Sequence, residues 1–479
     1  MARRSCSPRT VNEVLSVLHV PFEVTNADVV VTGITQDSRE VVPGDVYCCI
    51  RGEHFDGHIY ALEAVTAGAV AIIADRDISG VSHDVAMIRV PDVREFIGLF
   101  AASLFGEPSR QLTMVGVTGT NGKTTTTALI ASILEASGKT VQQIGTLTGA
   151  RTTPEAIDLQ SQLRDFVESG VECVVMEVSS HALAQGRVKG TTFDVAVFTN
   201  LGRDHLDFHG TEEAYFAAKA KLFSPELSQH GVVNVDDPRG SLLRDAATIP
   251  MTAFSESDVR AEVIRVDAVS YEWNGNVVSV PMGGSFTLMN SLAAATATKV
   301  LGIADEAIVE GLRRVKQVPG RFESVPNGLG IGVIVDYAHT PESMELLLVS
   351  VRQVCRGRMT VVFGCGGNRD AGKRPLMGRI AESLADVVIV TSDNPRDEDP
   401  QGIVDDICAG LTTSSARVSQ VLERELAIES AISDAQRDDI VVIVGKGHET
   451  YQEVSGVMHP FSDVDVAQKA LRRREETTE

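Results

Sequence analysis

The segment Thr113-Met-Val-Gly-Val-Thr-Gly-Thr-Asn-Gly-Lys-Thr-Thr125 reads as a hydrophobic strand, a glycine-bearing turn and a helix start. Such a turn aims backbone N–H groups and a helix N-terminus at phosphate. Gly119, Thr120, Asn121, Gly122 and Thr125 would form the cradle, Lys123 would reach the terminal phosphates, and the Thr124 hydroxyl would hold Mg2+. Val117 stands where the general P-loop pattern has its first glycine, so a plain P-loop ATPase fits less well. The bland alternative is a strand-to-helix turn without a ligand. Glu177 ends another hydrophobic stretch, where a carboxylate is costly unless a cation or hydrogen bonds receive it. A Mg2+ beside the phosphates is its natural partner. Asp393-Asn-Pro-Arg396 follows an apolar run, at the strand end where α/β folds place ligands, although Asn-Pro alone reads as a turn.

These residues need strands that deliver them to one edge. Short β-branched runs alternate with helical segments at Leu112 to Gly116, Cys173 to Val178, Asp194 to Thr199 and Gly231 to Val235, predicting a parallel α/β sheet. After Pro319-Gly320 a second series follows: Ile331 to Asp336, Met359 to Gly364, Asp386 to Thr391 and Asp439 to Gly445. Ahead of the linker Gly106-Glu-Pro-Ser109 lies a smaller mixed region, with a strand expected in Ala67 to Ala74 and a helix in Arg94 to Phe105. The expected α/β architecture thus has three domains, at 1–108, 109–328 and 329–479. The helix after the phosphate loop should end near Gly138, a suitable left-handed cap. Residues 224–230 and 275–286 read as loops or a short hairpin, and the charged tail after Arg472 as a frayed end.

Composition supports this layout. A chain of 479 residues exceeds one comfortable core at roughly 100 to 200 residues per domain. Its 43% hydrophobic and 23% charged residues are those of a folded globular protein rather than a disordered one. A net charge of -22 disfavours nucleic acid and anionic membranes, so an anionic ligand must be held by local groups. Seven cysteines without metal-type spacing favour reduced thiols in the cytoplasm. The basic opening is not followed by the apolar run of a signal peptide, and no stretch approaches the roughly 18 apolar residues of a membrane span. A soluble, cytoplasmic, monomeric protein is the expectation.

Gly119-Thr-Asn-Gly-Lys-Thr-Thr125 has the form of the loop in the Mur ligases and their folylpolyglutamate synthetase relatives. Further motifs follow in the family's order: Met176-Glu-Val-Ser-Ser-His-Ala-Leu183, Asn200-Leu-Gly-Arg-Asp-His-Leu-Asp-Phe-His-Gly210, Ala218-Lys-Ala-Lys-Leu-Phe223, Val318-Pro-Gly-Arg-Phe-Glu323 and Asp336-Tyr-Ala-His-Thr-Pro341. Over nearly its whole length the chain resembles the Mur ligase family. The resemblance implies a small uridine-nucleotide domain of mixed α/β type, a central P-loop-like parallel-sheet ATPase domain and a C-terminal Rossmann-like α/β domain. It makes Lys123, Glu177, His205 and Lys219 the catalytic group, with Thr124, Glu177, His205 and a carbamylated Lys219 around Mg2+. Lys221 competes with Lys219, and a surface lysine is the bland reading of either. Asn290, Arg321 and Asp336 would complete the ATP site; Thr287 replaces the family's usual asparagine near Asn290, and an interdomain ion pair is the alternative for Arg321 and Asp336.

In the first domain, Gln36-Asp-Ser-Arg39 and Gly52-Glu-His-Phe-Asp-Gly-His58 resemble the uridine pocket of the tripeptide-forming members, which would assign Ser38 and His54 to it. An Asp37–Ser38 turn would look the same in isolation. Thr152, Thr153, Ser179, Gln185 and Arg187 match the positions that hold the muramoyl-dipeptide, with Arg151 departing from the residue expected before the threonine pair. Asp393, Asn394, Pro395 and Arg396, with Arg369, Gly445 and Glu449, are similar to the amino-acid site of diaminopimelate-adding members. Diaminopimelate differs from lysine by a second carboxylate, which a positioned Arg396 would pair with and lysine would leave unmatched. The implied reaction is ATP-dependent addition of meso-diaminopimelate to UDP-N-acetylmuramoyl-L-alanyl-D-glutamate through an acyl phosphate. The alternatives are the same ligase using L-lysine, folylpolyglutamate or cyanophycin-type synthesis, and a catalytically silent nucleotide-binding protein.

Overall fold

A computed structural model describes residues 6–52, 55–412 and 416–478. The middle sheet has six parallel strands in the order Met251–Phe254, Ser228–Asn234, Phe193–Phe198, Thr113–Thr118, Cys173–Glu177, Val141–Ile144. Val115, Val117, Met114 and Met176 are all buried, as both faces of a parallel sheet under helices must be. The helix Lys123–Ala136 packs Leu129, Ile130 and Ile133 into this core and stops at Ser137 and Gly138, whose φ of 86° supplies the left-handed cap.

The third sheet runs Glu323–Ser324, Gly332–Asp336, Ile440–Val444, Met359–Phe363, Val387–Val390, Arg417–Gln420, parallel except for its first strand. Glu323–Ser324 pairs with Val335 and Ile334, so the third sheet reaches back across the boundary expected at 328/329. The first domain holds a five-stranded sheet, Glu23–Thr25, Ala86–Arg89, Ala71–Ala74, Asp45–Cys48, Gly33–Thr35, with the helix Val93–Leu104 against it.

Of two expectations, the hairpin alternative for 275–286 holds and the frayed tail needs correction. Within 275–286, Asn276–Val280 is a strand that pairs antiparallel with Val269–Trp273, itself paired with Arg260–Ile264. Asn274 and Gly275 have positive φ of 47° and 74°, the backbone a tight Asn-Gly hairpin requires. The tail does not fray after Arg472: the helix Asp463–Thr478 continues, tied by Arg473 to Glu429 and by Lys469 to Glu425. No helix among the described residues is long and apolar enough to cross a membrane.

Candidate active site

Three adjacent middle-sheet strands end together and build the phosphate cradle. Gly119 follows the first, Glu177 closes the second, and Thr199-Asn200 follows the third. Asn200 clamps the loop, its Oδ1 accepting from Asn121 N–H at 2.9 Å and its carbonyl from Thr120 N–H at 3.0 Å. The Thr199 hydroxyl donates to the Asn121 carbonyl at 2.6 Å. A Cβ at Gly119 would lie 1.9 Å from Thr199 Oγ1, and one at Gly122 2.4 Å from Asn290 Oδ1, so both glycines are sterically required. Thr125 lies buried in the first helical turn.

Lys123 folds back on its own loop, its Nζ donating to the carbonyls of Gly119 and Thr120, each at 2.9 Å. Burial lowers its pKa, with Glu177 opposing. Glu177 is 2% exposed. Its carboxylate accepts from Thr124 Oγ1 at 3.1 Å, Thr146 N–H at 2.9 Å and Thr146 Oγ1 at 3.3 Å. Thr124 and Glu177 thus bring two hard oxygen donors together, which fits a Mg2+ completed by water and phosphate. Among the described residues no three His, Cys, Asp or Glu side chains form a ready-made metal cage.

Lys219, 1% exposed, donates to the Gly119 carbonyl at 2.8 Å and lies 4.4 Å from the Tyr215 ring centre. Burial first, then neighbouring Lys123, holds its amine well below the usual lysine pKa. Lys221 is exposed, so only Lys219 faces the cradle. The lowered Lys219 pKa favours the neutral amine, the form able to take up carbon dioxide as a carbamate. His205, with φ of 53°, presents its ring edge-on to His181 at 4.7 Å and lies 3.5 Å from an Asp204 carboxylate oxygen. Burial lowers its pKa, which favours the neutral imidazole that can ligate a metal.

These groups line a cleft of about 700 Å3 between the middle and last domains. Asn290, Arg321 and Asp336 line it too, with Phe286, Met289 and Tyr337. Asp336 accepts backbone N–H bonds from Phe322 at 2.7 Å and Ala338 at 2.8 Å. Burial raises its pKa, with Arg321 opposing. No ion pair within 4.0 Å joins Arg321 to Asp336 among the described residues; the Arg321 guanidinium lies 4.9 Å from the Tyr337 ring centre instead. Thr287 is buried and donates to the Gly283 carbonyl at 2.6 Å, just ahead of the helix Ser285–Val300.

Beside the cleft, the Thr153 hydroxyl bonds the Glu177 carbonyl at 2.9 Å and accepts from Ser179 N–H at 3.0 Å, while Thr152 Oγ1 lies 3.0 Å from Thr146 Oγ1. Arg187 already has protein partners: the Thr153 carbonyl at 3.2 Å, Gln185 Oε1 at 2.6 Å and a Glu155 carboxylate oxygen at 3.0 Å. In the first domain Ser38 opens a short turn capped by Asp37, which also pairs with Arg39 at 2.6 Å. His54 lies outside the described residues. Nearby, His58 is 7% exposed and sits between Asp56 and Asp75, at 2.6 and 3.0 Å.

A second cradle forms where three adjacent third-sheet strands end, Ile440–Val444, Met359–Phe363 and Val387–Val390. Asn394 donates to Glu449 Oε2 at 2.8 Å, and the fully buried Lys446 bonds Asn394 Oδ1 at 3.0 Å and Glu449 Oε2 at 2.9 Å. Asp393 is 7% exposed and accepts from Asn394 N–H at 2.7 Å; a Cβ at Gly445 would lie 2.4 Å from its Oδ2. Pro395 passes its carbonyl to Glu398 N–H at 3.1 Å. Arg369 is exposed, and both it and Arg396 flank Gly366.

The family model for the Mur ligase middle domain matches residues 117–298, that for the Mur ligase glutamate ligase domain residues 320–447, and that for the Mur ligase family catalytic domain residues 30–104. A Geobacillus kaustophilus protein named UDP-N-acetylmuramoyl-L-alanyl-D-glutamate--2,6-diaminopimelate ligase is 43% identical over 474 residues, 94% of this chain and 96% of its own. The chain belongs to the Mur ligase family. A Gloeobacter violaceus Mur ligase of the same name is 44% identical over 468 residues, 93% of this chain and 95% of its own. A solved Mur ligase structure titled with that name superposes with a TM-score of 0.71 at 32% identity, covering 98% of this chain and 100% of its own.

In this Mur ligase the structure gathers the sequence-predicted ATP and metal residues around one cleft. It adds groups that sequence reasoning missed. Thr146 gives Glu177 two of its hydrogen bonds from a loop with no motif, whereas Lys446 stood inside Gly445-Lys-Gly-His-Glu-Thr450 and could have been flagged as a lysine at a strand end.

Proposed function

We propose that this Mur ligase joins meso-diaminopimelate to UDP-N-acetylmuramoyl-L-alanyl-D-glutamate with hydrolysis of ATP to ADP and phosphate. The carrying observation is the pairing of two cradles in one chain. One is a backbone phosphate loop beside a Thr124–Glu177 oxygen pair; the other is an amino-acid pocket holding Arg369, Arg396 and Glu449 at neighbouring strand ends. Relatives of nearly full length carry the diaminopimelate ligase name.

The D-glutamyl γ-carboxylate oxygen takes the terminal phosphoryl group of ATP, and the diaminopimelate amine then attacks the acyl carbon, expelling phosphate and losing a proton. Loop N–H groups and Lys123 hold the phosphates, Lys123 exchanging its two carbonyl partners for them. Bound Mg2+ would offset charge on the transferring phosphoryl group. Thr124 and Glu177 would hold it through oxygen, with His205 and a carbamylated Lys219 as further ligands. Asn290, Arg321 and Asp336 place ATP in the cleft. Thr152, Thr153, Ser179, Gln185 and Arg187 place the dipeptide, whose carboxylate would share or replace Glu155 at Arg187; Ser38 and His54 take the uridine nucleotide. Arg369, Asp393, Gly445 and Glu449 hold the near carboxylate and ammonium groups of the amino acid, and Arg396 the carboxylate that lysine lacks.

The test is ADP release by purified protein with Mg2+, ATP and the UDP-muramoyl-dipeptide, comparing meso-diaminopimelate with L-lysine and weighing the product. Turnover with diaminopimelate alone is expected. Preference for lysine would overturn the role of Arg396, and no acceptor-dependent turnover by folded, carbonate-supplied protein would overturn the reaction.

A further inference from the structure

Arg396 adopts φ of 53°, a region that residues with side chains rarely occupy without compensating contacts. The compensation comes from the hairpin Tyr451–Val454 and Val457–Pro460. Arg396 N–H donates to the Glu453 carbonyl at 3.0 Å, and Ser455 N–H donates to the Arg396 carbonyl at 2.7 Å. Glu453 then acts on the guanidinium itself. Its Oε2 accepts from Arg396 Nε at 3.0 Å, while the Gly367 carbonyl accepts from Nη1 at 2.7 Å. The two charged side chains are only 22% and 23% exposed, so solvent screens them less than a surface pair.

Nε and one Nη1 proton are engaged, and Nη2 has no hydrogen-bond partner among the described residues. A planar guanidinium held at Nε on one side and at Nη1 on the other is fixed in its plane, so that Nη2 points in a set direction. Glu453 also reaches the neighbouring ligand residue, since its N–H donates to Asn394 Oδ1 at 2.9 Å.

We propose that Glu453 is a specificity-determining positioning residue, which fastens Arg396 at Nε so that its unengaged Nη2 is aimed at the second carboxylate of the amino-acid substrate. The proposal rests on the diaminopimelate reading given above. Glu453 touches no substrate in this scheme; it acts through Arg396. The alternative is an ion pair that merely pins the hairpin, and the backbone bonds separate the two, because they survive truncation of the side chain and keep the hairpin docked.

Steady-state kinetics of wild type, Glu453→Ala and Glu453→Gln, varying each substrate in turn, test it alongside the melting temperature. Glu453→Ala should raise KM for meso-diaminopimelate on the order of tenfold, as loss of an orienting partner does elsewhere. KM for ATP and for the dipeptide should stay unchanged. Glu453→Gln keeps a carbonyl acceptor at the same reach and should recover most of the loss. Discrimination against L-lysine should fall in Glu453→Ala by the same factor, because lysine never used the aimed Nη2. An unchanged diaminopimelate KM, or a parallel rise in all three KM values with a lower melting temperature, would overturn the positioning role. A wild type that does not use diaminopimelate would overturn the underlying functional reading, and this proposal with it.

Discussion

The phosphate cradle and the amino-acid cradle both lie at the ends of parallel strands, yet they are made of different material. Around phosphate, seven consecutive residues supply the loop, whose backbone groups are clamped by Thr199 and Asn200 and whose two glycines leave no room for a Cβ. Around the amino acid, Asn394, Arg396, Lys446, Glu449 and Glu453 come from separate segments and are oriented by one another's charges or by a carbonyl, with the exposed Arg369 beside them. A phosphate group is the same in every nucleotide, so a fixed backbone nest suffices for it. An amino-acid substrate must be told from close analogues, which takes side chains held at set angles.

Replacing a group that acts in the transition state should therefore do most damage in the first cradle. Lys123→Ala should lower kcat by about 10² to 10³-fold, the usual loss when a preorganised charge on the reacting group is removed. ADP release under saturating substrates measures it, with circular dichroism to confirm folding. A loss under tenfold would mean that the backbone nest alone carries the charge stabilisation.

The second cradle should fail more selectively. Arg396→Ala removes one charge-assisted pair, about 2 kcal/mol or roughly thirtyfold in diaminopimelate KM, and should leave the ATP KM alone. If the ATP KM rose equally, the two cradles would be coupled through domain closure rather than separable.

The same contrast explains what the sequence disclosed. The phosphate loop was legible because contiguous glycines, lysine and threonine after a strand encode backbone geometry directly, and the eight core strand runs were legible from unbroken β-branched stretches. The segment 275–286 reads as a loop or a short hairpin, and Asn276–Val280 is a hairpin strand; the third strand Arg260–Ile264 stays hidden because its run of exposed and half-buried residues is too short a pattern to mark a sheet. Thr146 and Glu453 carry no local signature. Their importance exists only after Glu177 and Arg396 have been brought beside them. The helical tail was hidden for a related reason, because its charges find partners only on the neighbouring helix Arg424–Asp434.

A smaller effect sharpens the electrostatic side of the comparison. Burial and Lys123 depress the Lys219 pKa below the ordinary 10.5, so between the folded and unfolded values the unfolded chain binds the extra proton. Stability should therefore rise with pH across that window and fall as acid is added. Lys219→Met removes this share, and its stability curve should be flatter by up to about 1.4 kcal/mol per pH unit there. Denaturant unfolding of both proteins in carbonate-free buffer measures the difference, which cancels the similar contribution of Lys123. Parallel curves would mean that the amine stays protonated in the fold and needs a counter-charge the cradle does not hold.

The least effect is expected at the far end of the phosphate helix. Gly138 has φ of 86°, and a Cβ there would meet nothing within 4 Å. Gly138→Ala therefore carries only backbone strain, about 1 kcal/mol of stability read by denaturant unfolding. Its ATP KM should match wild type, since the cradle's restraints come from Asn200, Thr199 and Asn290 at the other end of the helix. A shifted ATP KM would show that the loop's geometry depends on the whole helix, and the phosphate cradle would then be less local than its seven residues imply.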